Sequence, residues 1–124
     1  MLATVQPTLF QHETRSASLD RRRIYRYKLW RQWSPEPSRY VNFVCLNPST
    51  ADENTDDPTV RKCVKFAQRW GYDALCITNL FAFRATDFKV AMRANDPVGF
   101  GNDRHILSVA QDAFVGDLCV EPTW

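Results

Sequence analysis

The sequence predicts an α/β domain with a partly parallel central sheet flanked by helices, and an antiparallel hairpin near its N-terminus. Residues 40–46 form an apolar run, residues 57–70 follow a helical pattern, and residues 74–79 form a second apolar run. A strand, a helix and a strand within about thirty residues are typical of two parallel strands joined by a crossover helix. The composition agrees, because a chain of 124 residues with 44% hydrophobic side chains can bury its own core.

The N-terminal part contains one predicted strand. Residues 1–20 are polar and aperiodic, so we expect a flexible terminus there and a single α/β domain over residues 21–124. In the segment RIYRYKLWRQW, aromatic and apolar residues alternate with Arg26 and Lys28, which predicts a half-buried strand with these two side chains on its outer face. A proline-containing turn follows. We therefore expect this strand to pair with residues 40–46 as an antiparallel hairpin.

The crossover helix has clear predicted ends. Asp57 is a good N-cap, and Pro58 suits the first helical position because its missing N–H is not needed there. Gly71 marks the end of the helix. One face is apolar and the other basic, which predicts that the basic face is exposed to solvent.

Further elements are predicted beyond the second apolar strand. We expect a short helix at residues 88–93 and a longer one that is capped by Asn102 or Asp103 and ends near residue 113. The longer helix should turn Ile106, Leu107 and Ala110 inward. A last strand is predicted at residues 117–120.

Composition and spacing exclude several classes of protein. No apolar run reaches the roughly 18 to 20 residues of a membrane span, and no secretory signal is visible, so we expect a cytoplasmic protein with no membrane partner. Neither histidine lies at metal-ligand spacing from a cysteine, so we expect no metal and no cofactor. The cysteines should be small core residues; they are Cys45, Cys63, Cys76 and Cys119.

Positive charge is concentrated near the N-terminus. Residues 1–40 carry eight basic and three acidic side chains, a net charge of +5, whereas the rest of the chain carries −3. Such a basic arm suits a polyanionic partner, although charged runs are also common on plain solvated faces. The predicted nucleic-acid contacts are Arg21, Arg22, Arg23 and Arg26.

Two polar loops should meet at the carboxyl edge of the parallel strands, where open α/β sheets bind their ligands. One begins at Asn47, whose amide can position a water or a polar ligand, and the other begins at Asn79. Arg84 can supply a guanidinium to a phosphate or a carboxylate. We expect Asn47, Asn79 and Arg84 to face one cavity. An ordinary turn explains Asn47 and Ser49 equally well.

The first loop is acidic, with Asp52, Glu53, Asp56 and Asp57. Neighbouring carboxylates can hold Mg²⁺ or act as acids and bases, and Asp52 is, with Asn47, a predicted catalytic residue. The alternative is a solvated loop in which Asp57 caps the helix.

Four segments resemble the DUF1643 family of bacterial and phage proteins, whose biochemical role is unsettled. They are LNPSTAD, DDPTVRKCVKFAQRWGY, TNLFAFRATD and DPVGFGNDRHIL, in the order and spacing of the family, and RIYRYKLWRQW resembles its entry strand. The resemblance covers residues 23–113. The family typically continues with a strand, a tryptophan-glycine loop and a His-Pro segment, so the ending VGDLCVEPTW implies a member that is shortened at its C-terminus.

A second resemblance bears on mechanism. LNPS is similar to the first motif of the uracil-DNA glycosylase superfamily, in its GxNPG form, and ITNLFAFR is similar to the strand and loop that follow. The similarity implies a uracil-DNA-glycosylase-like fold in which Asn47 positions the attacking water, while Asn79 and Phe81 approach the base. The predicted ligand-binding residues are Ser49, Thr50, Asn79, Phe81, Arg84, Asn102 and Arg104.

Three functions follow from these patterns. The first is recognition of a nucleotide or nucleic acid at the carboxyl edge, with glycosylase-like hydrolysis as its extension. The second is a non-catalytic interaction protein of phage or plasmid type that binds nucleic acid or protein through the basic arm. The third is a metal-dependent phosphoesterase that uses Asp52 and Asp56.

Overall fold

The structure, a computed structural model, describes residues 13–35, 39–113 and 118–120. Its strands are β1 (Thr14–Leu19), β2 (Arg26–Gln32), β3 (Tyr40–Cys45), β4 (Ala74–Asn79) and β5 (Leu118–Val120). They form one mixed sheet in the order β1-β2-β4-β3-β5. The helices of the described part are α1 (Pro58–Arg69), α2 (Phe88–Met92) and α3 (Asn102–Asp112). None of these helices has the length and apolar character that crossing a membrane requires.

The predicted unit of strand, helix and strand is confirmed. β3 and β4 are parallel, in a register that runs from Tyr40 opposite Ala74 to Cys45 opposite Asn79. Asp57 caps α1 by accepting a hydrogen bond from the Val60 N–H at 2.9 Å. The two strands therefore end side by side, and both loops that follow them start at the same edge of the sheet.

The predicted hairpin between β2 and β3 is wrong. β2 pairs antiparallel with β4 on one side and with β1 on the other, so β4 separates it from β3. The N-terminal antiparallel hairpin is formed by β1 and β2 instead. Residues 14–19 were expected in a flexible terminus, but they form an edge strand whose largely exposed side chains need no apolar alternation. Residues 1–12 lie outside the described part of the chain.

The main core lies between one face of the sheet and α1. Val60, Cys63 and Ala67 of α1 are buried, as their helical spacing predicts. They pack against side chains of three strands, namely Leu29, Val41, Phe43, Leu75 and Ile77. Cys45, Cys63 and Cys76 are buried, as predicted, whereas the side chain of Cys119 lies outside the described residues.

Helix α3 covers part of the opposite face, but its predicted cap and orientation are wrong. Gly101, with φ of 78°, precedes the helix, and no side chain caps it. Asn102 points inward and is fully buried, so the face of α3 that packs on the sheet contains Asn102 and Val109. Leu107 is consequently 59% exposed, and Ala110 is exposed as well.

Two neighbouring glycines provide a test of this packing. A Cβ atom on Gly99 would lie 2.9 Å from Cδ1 of Tyr25, whereas one on Gly101 would have nothing within 4 Å, and both residues have positive φ. Gly101→Ala should lower the free energy of unfolding by about 1 kcal/mol through backbone strain alone. Gly99→Ala should lower it by about 3 kcal/mol, because overpacking adds to that strain. Urea unfolding followed by circular dichroism measures both, and equal losses would contradict the Tyr25 contact.

Candidate functional site

Two adjacent spaces lie at the carboxyl edge of β3 and β4. The first, called the outer cleft, is open, has a volume of about 520 Å³, and is lined among others by Arg23, Ser49, Thr50, Phe83, Arg84 and Thr86. The second, called the inner cavity, measures only about 40 Å³ and is lined among others by Arg26, Asn47, Ser49, Asp57, Thr59 and Asn79. Ser49 lines both spaces and therefore marks the place where they meet.

Backbone hydrogen bonds hold the two predicted loops together at this edge. The Leu80 N–H donates to the Cys45 carbonyl at 2.9 Å, and the Ala85 N–H donates to the Pro48 carbonyl at 2.8 Å. The side chain of Asn47 adds a bond, from Nδ2 to the Ala85 carbonyl at 2.8 Å. The predicted meeting of the two loops is thus confirmed.

Three arginines fix the conformation of the first loop. Four successive backbone carbonyls of this loop each accept a hydrogen bond from a guanidinium group, at distances between 2.7 and 3.2 Å. The acceptors are the carbonyl oxygens of Ser49 and Thr50 for Arg84, of Ala51 for Arg26, and of Asp52 for Arg31. We call Arg26, Arg31 and Arg84 the arginine clamp. It orders a segment that has no helical or strand hydrogen bonds of its own.

Arg26 is buried, so its assignment to the outer face and to nucleic-acid contact is wrong. Its side chain is 2% exposed. The register of the hairpin shifts by one residue, with Ser18 opposite Lys28 and Leu19 opposite Arg26. An extra residue in a strand moves the neighbouring side chain to the other face, which here is the face covered by α1. Burial lowers the pKa of Arg26 to about 10, and nearby Asp57 opposes this shift.

Arg84 lines the outer cleft, but its guanidinium nitrogens are occupied by the backbone. Besides the two clamp bonds, Nη1 donates to the Arg23 carbonyl at 3.1 Å. It does not line the inner cavity, where Asn47 and Asn79 lie. The expectation that all three side chains face one cavity holds only for the two asparagines.

Asp52, the predicted catalytic carboxylate, organises its own turn. Its Oδ1 accepts hydrogen bonds from the N–H groups of Asn54 and Thr55, both at 2.8 Å. The Asn54 N–H is the main reason that the pKa of Asp52 is lowered, and the Thr55 N–H and Arg23 lower it further. Asp52 lines neither space. A carboxylate with a lowered pKa that lies outside the cleft is poorly suited to exchange protons with a ligand near neutral pH.

The other acids of this loop neutralise the basic arm. Asp56 accepts a hydrogen bond from Nε of Arg31 at 2.9 Å and lies 3.4 Å from Nη2 of Arg15. Glu53 accepts a bond from Nη2 of Arg23 at 2.7 Å. Among residues 13–35, 39–113 and 118–120, no three His, Cys, Asp or Glu side chains are grouped so that they could hold a metal ion. The contacts therefore give the phosphoesterase alternative no ligand set within this range.

Two buried N–H donors of the inner cavity lack a partner. Nε of Arg26 and Nδ2 of Asn79 make no hydrogen bond within the described part of the chain. Asn79 is 1% exposed, and its Oδ1 already accepts from Nη2 of Arg26 at 3.3 Å. A buried donor without an acceptor costs about 1–3 kcal/mol. Both unpaired atoms are donors on residues that line the inner cavity, so an acceptor atom placed beside them would remove this cost.

The remaining predicted residues divide into two groups. Ser49 and Thr50 line the outer cleft, and Ser49 Oγ donates to Thr86 Oγ1 at 3.3 Å. Phe81, Asn102 and Arg104 line neither space. Phe81 instead lies against Phe88, with ring centroids 5.6 Å apart, and Arg104 is exposed on α3. The Nδ2 group of Asn102 donates to the Asn79 carbonyl at 2.8 Å, so Asn102 stabilises the backbone of Asn79 without lining the site itself.

Sequence reasoning missed Thr59 and Thr86 as lining residues. Thr59 lies in the first turn of α1, and the crossover places that turn beside the ends of the parallel strands. The place of Thr59 in the first turn of the predicted helix could therefore have identified it as a lining residue. Thr86 lies in the segment TNLFAFRATD, but only the pairing of the two loops brings it to Ser49.

A larger groove lies on the other face of the sheet. It has a volume of about 770 Å³ and is lined among others by Ser16, Lys28, Trp30, Tyr40 and Asp112. None of the predicted site residues lines it. Size alone does not mark a site, so the smaller edge spaces with their unpaired donors remain the candidate.

The sequence profile of a family described as "Protein of unknown function (DUF1643)" matches residues 26–118. The chain belongs to this family. The match includes the arginine clamp and both edge loops of this DUF1643 protein. No curated protein and no solved structure matches the chain. The similarity to uracil-DNA glycosylases therefore gains no support from these comparisons and stays a prediction.

Asp56 allows the clamp to be tested with a matched pair of variants. Arg31, 3% exposed, approaches this carboxylate from the inside, and the more exposed Arg15 approaches it from the solvent side. Arg31→Ala should lower the free energy of unfolding by about 3 kcal/mol, because it removes a buried guanidinium that bonds Asp56 and the Asp52 carbonyl. Arg15→Ala should lower it by about 0.5 kcal/mol. Urea unfolding measures both, and similar losses would show that Arg31 does not hold the loop.

Asp52 predicts a specific dependence of stability on pH. A carboxylate whose pKa is lower in the folded state stabilises the fold above its unfolded pKa, here 3.8, and this contribution is lost as the pH falls through the folded pKa. Asp52→Asn should therefore be less stable than the wild type at pH 7, and the difference should vanish in acid. Asp103→Asn, an exposed change in the first turn of α3, is the control and should lose only the small contribution of a charge at a helix N-terminus, about 0.5 kcal/mol. A difference that persists unchanged at low pH would refute the role of the charge.

Proposed function

We propose that this DUF1643 protein binds a nucleotide at the carboxyl edge of its sheet. The observation that carries the proposal is the pair of unpaired donors, Arg26 Nε and Asn79 Nδ2, on residues that line the inner cavity beside the outer cleft. Nucleobases present carbonyl oxygens and ring nitrogens that accept hydrogen bonds. An acceptor of this kind would supply a hydrogen bond that one of these donors lacks.

The sizes of the two spaces fit a nucleotide that places one base oxygen in the inner cavity and the rest of the molecule in the outer cleft. A cavity of about 40 Å³ has room for a group of the size of one water, whose share of liquid volume is about 30 Å³. It therefore admits a single exocyclic oxygen and not a whole ring. The outer cleft, at about 520 Å³, falls within the usual range of ligand pockets.

The lining of the outer cleft suits a planar ring with an attached phosphate. Phe83 provides an aromatic surface, and Tyr25 fixes its orientation by an edge contact with centroids 5.7 Å apart. Thr86 and Arg23 supply polar groups on the same rim. The turn that contains Arg23 also carries the exposed Arg21 and Arg22, which favour a negatively charged ligand.

Glycosylase-like hydrolysis is the finer form of this proposal. Asn47 supports it, because it lines the inner cavity and can present its amide oxygen to a water. Among the described residues, Asp57 and not Asp52 is the carboxylate on this lining, and its Oδ1 already accepts from the Val60 N–H. Binding is therefore the better supported function, and any hydrolysis would rely on Asn47 and Asp57.

Asn79→Asp is the variant that separates binding from folding. It keeps the size of the side chain and the acceptor for Arg26, but it replaces the unpaired amide donor with an oxygen. Stability at pH 7 should be unchanged or higher, because buried Arg26 gains a carboxylate. Affinity for the ligand should fall by about tenfold or more, since an acceptor on the ligand now meets an acceptor on the protein.

The measurement is isothermal titration calorimetry with the common ribo- and deoxyribonucleoside 5′-monophosphates, alongside urea unfolding. Asn95→Asp introduces the same charge at an exposed position and is the control. If the wild type binds none of these nucleotides at about millimolar concentration, the proposal is wrong. Binding that is indifferent to Asn79→Asp would place the ligand elsewhere.

A further inference from the structure

Phe100 is held out into solvent on an ordered loop. It is 88% exposed, the largest exposed fraction among the large hydrophobic side chains of the described residues. The backbone around it is fixed, because the Gly99 N–H donates to Asp96 Oδ1 at 3.1 Å and the Asn102 N–H donates to the Gly99 carbonyl at 3.2 Å. A fixed ring without packing partners gains from a partner that covers it.

Tyr25 joins this loop to the turn between β1 and β2. Its ring packs against Gly99, and its hydroxyl donates to the Asp96 carbonyl at 2.7 Å. Its own N–H donates to Asp20 Oδ1 at 2.8 Å, which anchors the turn that starts at Asp20. The Gly99–Phe100–Gly101 tip and the turn are thus attached to one side chain and share one region of the surface.

The turn also carries two exposed cationic side chains. Arg21 and Arg22 are exposed, and neither forms an ion pair or a side-chain hydrogen bond within the described part of the chain. Asp20 accepts backbone N–H groups of the turn and Asp96 accepts from Gly99, and among the described residues neither carboxylate forms an ion pair with Arg21 or Arg22. This surface therefore combines an unpacked ring with two available cations.

The same edge carries a second exposed apolar side chain. Leu80, 45% exposed, directly follows β4, and its carbonyl accepts a hydrogen bond from Nδ2 of Asn102 at 3.2 Å. Asn102 in turn begins α3, one residue after the Gly99–Phe100–Gly101 tip. Asn102 thus links the Phe100 loop to the end of the strand that carries Asn79.

We propose that a single strand of nucleic acid crosses this edge, with one base stacked on Phe100 and phosphates at Arg21 and Arg22. Aromatic rings interleaved with cations are how proteins hold unpaired strands, because every base has a face that can stack. A duplex hides those faces inside its own stack. The inference rests on the proposed function, since it makes the nucleotide of the outer cleft one unit of a longer strand.

Fluorescence anisotropy with labelled strands of about twelve nucleotides tests this proposal at a length typical of such sites. The probes are oligothymidine, oligouridine and an abasic strand of equal length. Phe100→Ala should weaken binding of the base-bearing strands by about tenfold and leave the abasic strand unaffected. The double change Arg21→Ala and Arg22→Ala should reduce the slope of log K against log salt by about 1.4, the value for two phosphate contacts on a single strand. Comparing thymidine with uridine shows whether DNA or RNA is preferred.

Matched controls use side chains of the same type elsewhere on the surface. Leu107→Ala removes an apolar side chain that is 59% exposed on α3, and the pair Lys65→Ala and Arg69→Ala removes two exposed cations from α1. Both should leave strand affinity unchanged. The proposal is overturned if Phe100→Ala binds oligothymidine and oligouridine as the wild type does, if the abasic strand binds equally well, if anionic lipid vesicles bind in place of strands, or if no strand binds.

The outcome is separable from that of the proposed function. The wild type could bind strands in a Phe100-dependent way and yet bind no mononucleotide. That result would contradict the proposed nucleotide site in the outer cleft and support strand binding at the edge. Conversely, mononucleotide binding could depend on Asn79 while strand binding does not depend on Phe100. That result would support the nucleotide site and contradict strand binding at Phe100.

Discussion

The arginine clamp is the interaction on which the edge of this fold depends. A loop of eleven or so residues without regular structure cannot hold one conformation by its own hydrogen bonds, because turns and short connections rely on side chains for the rest. Here guanidinium groups from β2 and from the second loop take up four successive carbonyls, those of Ser49, Thr50, Ala51 and Asp52. Arginine suits this role because its planar group carries five donors and stays charged when buried. By fixing the loop, the clamp positions Asp57 as the N-cap of α1.

The unpaired donors of the inner cavity follow from the same interaction. Arg26 uses its two terminal nitrogens on the Ala51 carbonyl and on Asn79 Oδ1, which leaves Nε without an acceptor. Asn79 gives its only acceptor to Arg26 and is left with its amide N–H groups. Asn102 fixes the backbone of Asn79 from the other side and prevents the strand end from moving to find another partner. The fold thus stabilises the loop while leaving one buried donor on each of Arg26 and Asn79 without an acceptor. An acceptor atom placed beside either donor would supply the hydrogen bond that the fold does not provide.

Short sequence patterns predicted the elements that place the site, but not the contacts of the arginine clamp. The bounds of β4, the Asp57 cap and the parallel pairing of β3 with β4 all rest on short patterns that need no distant partner. The role of Arg26 was not predictable, because it depends on a register shift in the β1–β2 hairpin. β1 was missed because an edge strand exposed on its outer side carries no apolar alternation. Arg84 has the chemistry of a phosphate ligand, and only the position of the first loop shows that backbone carbonyls occupy it.

Pairing between the acidic loop and the basic arm changes what the charge pattern means. Read along the sequence, the arm predicts a broad cationic surface and the loop predicts a candidate metal site. In the fold, Asp56 and Glu53 contact Arg31, Arg15 and Arg23, so the two features largely cancel each other. The exposed pairs made by Arg15 and Arg23 contribute little to stability, unlike the buried Arg31 pair, but all of them remove charge from the field that a ligand experiences. Arg21 and Arg22, two exposed cations of the arm that no described ion pair engages, lie on the turn that Tyr25 joins to the loop bearing Phe100. Any attraction of a polyanion by this arm is therefore directed to the edge of the sheet where the outer cleft opens.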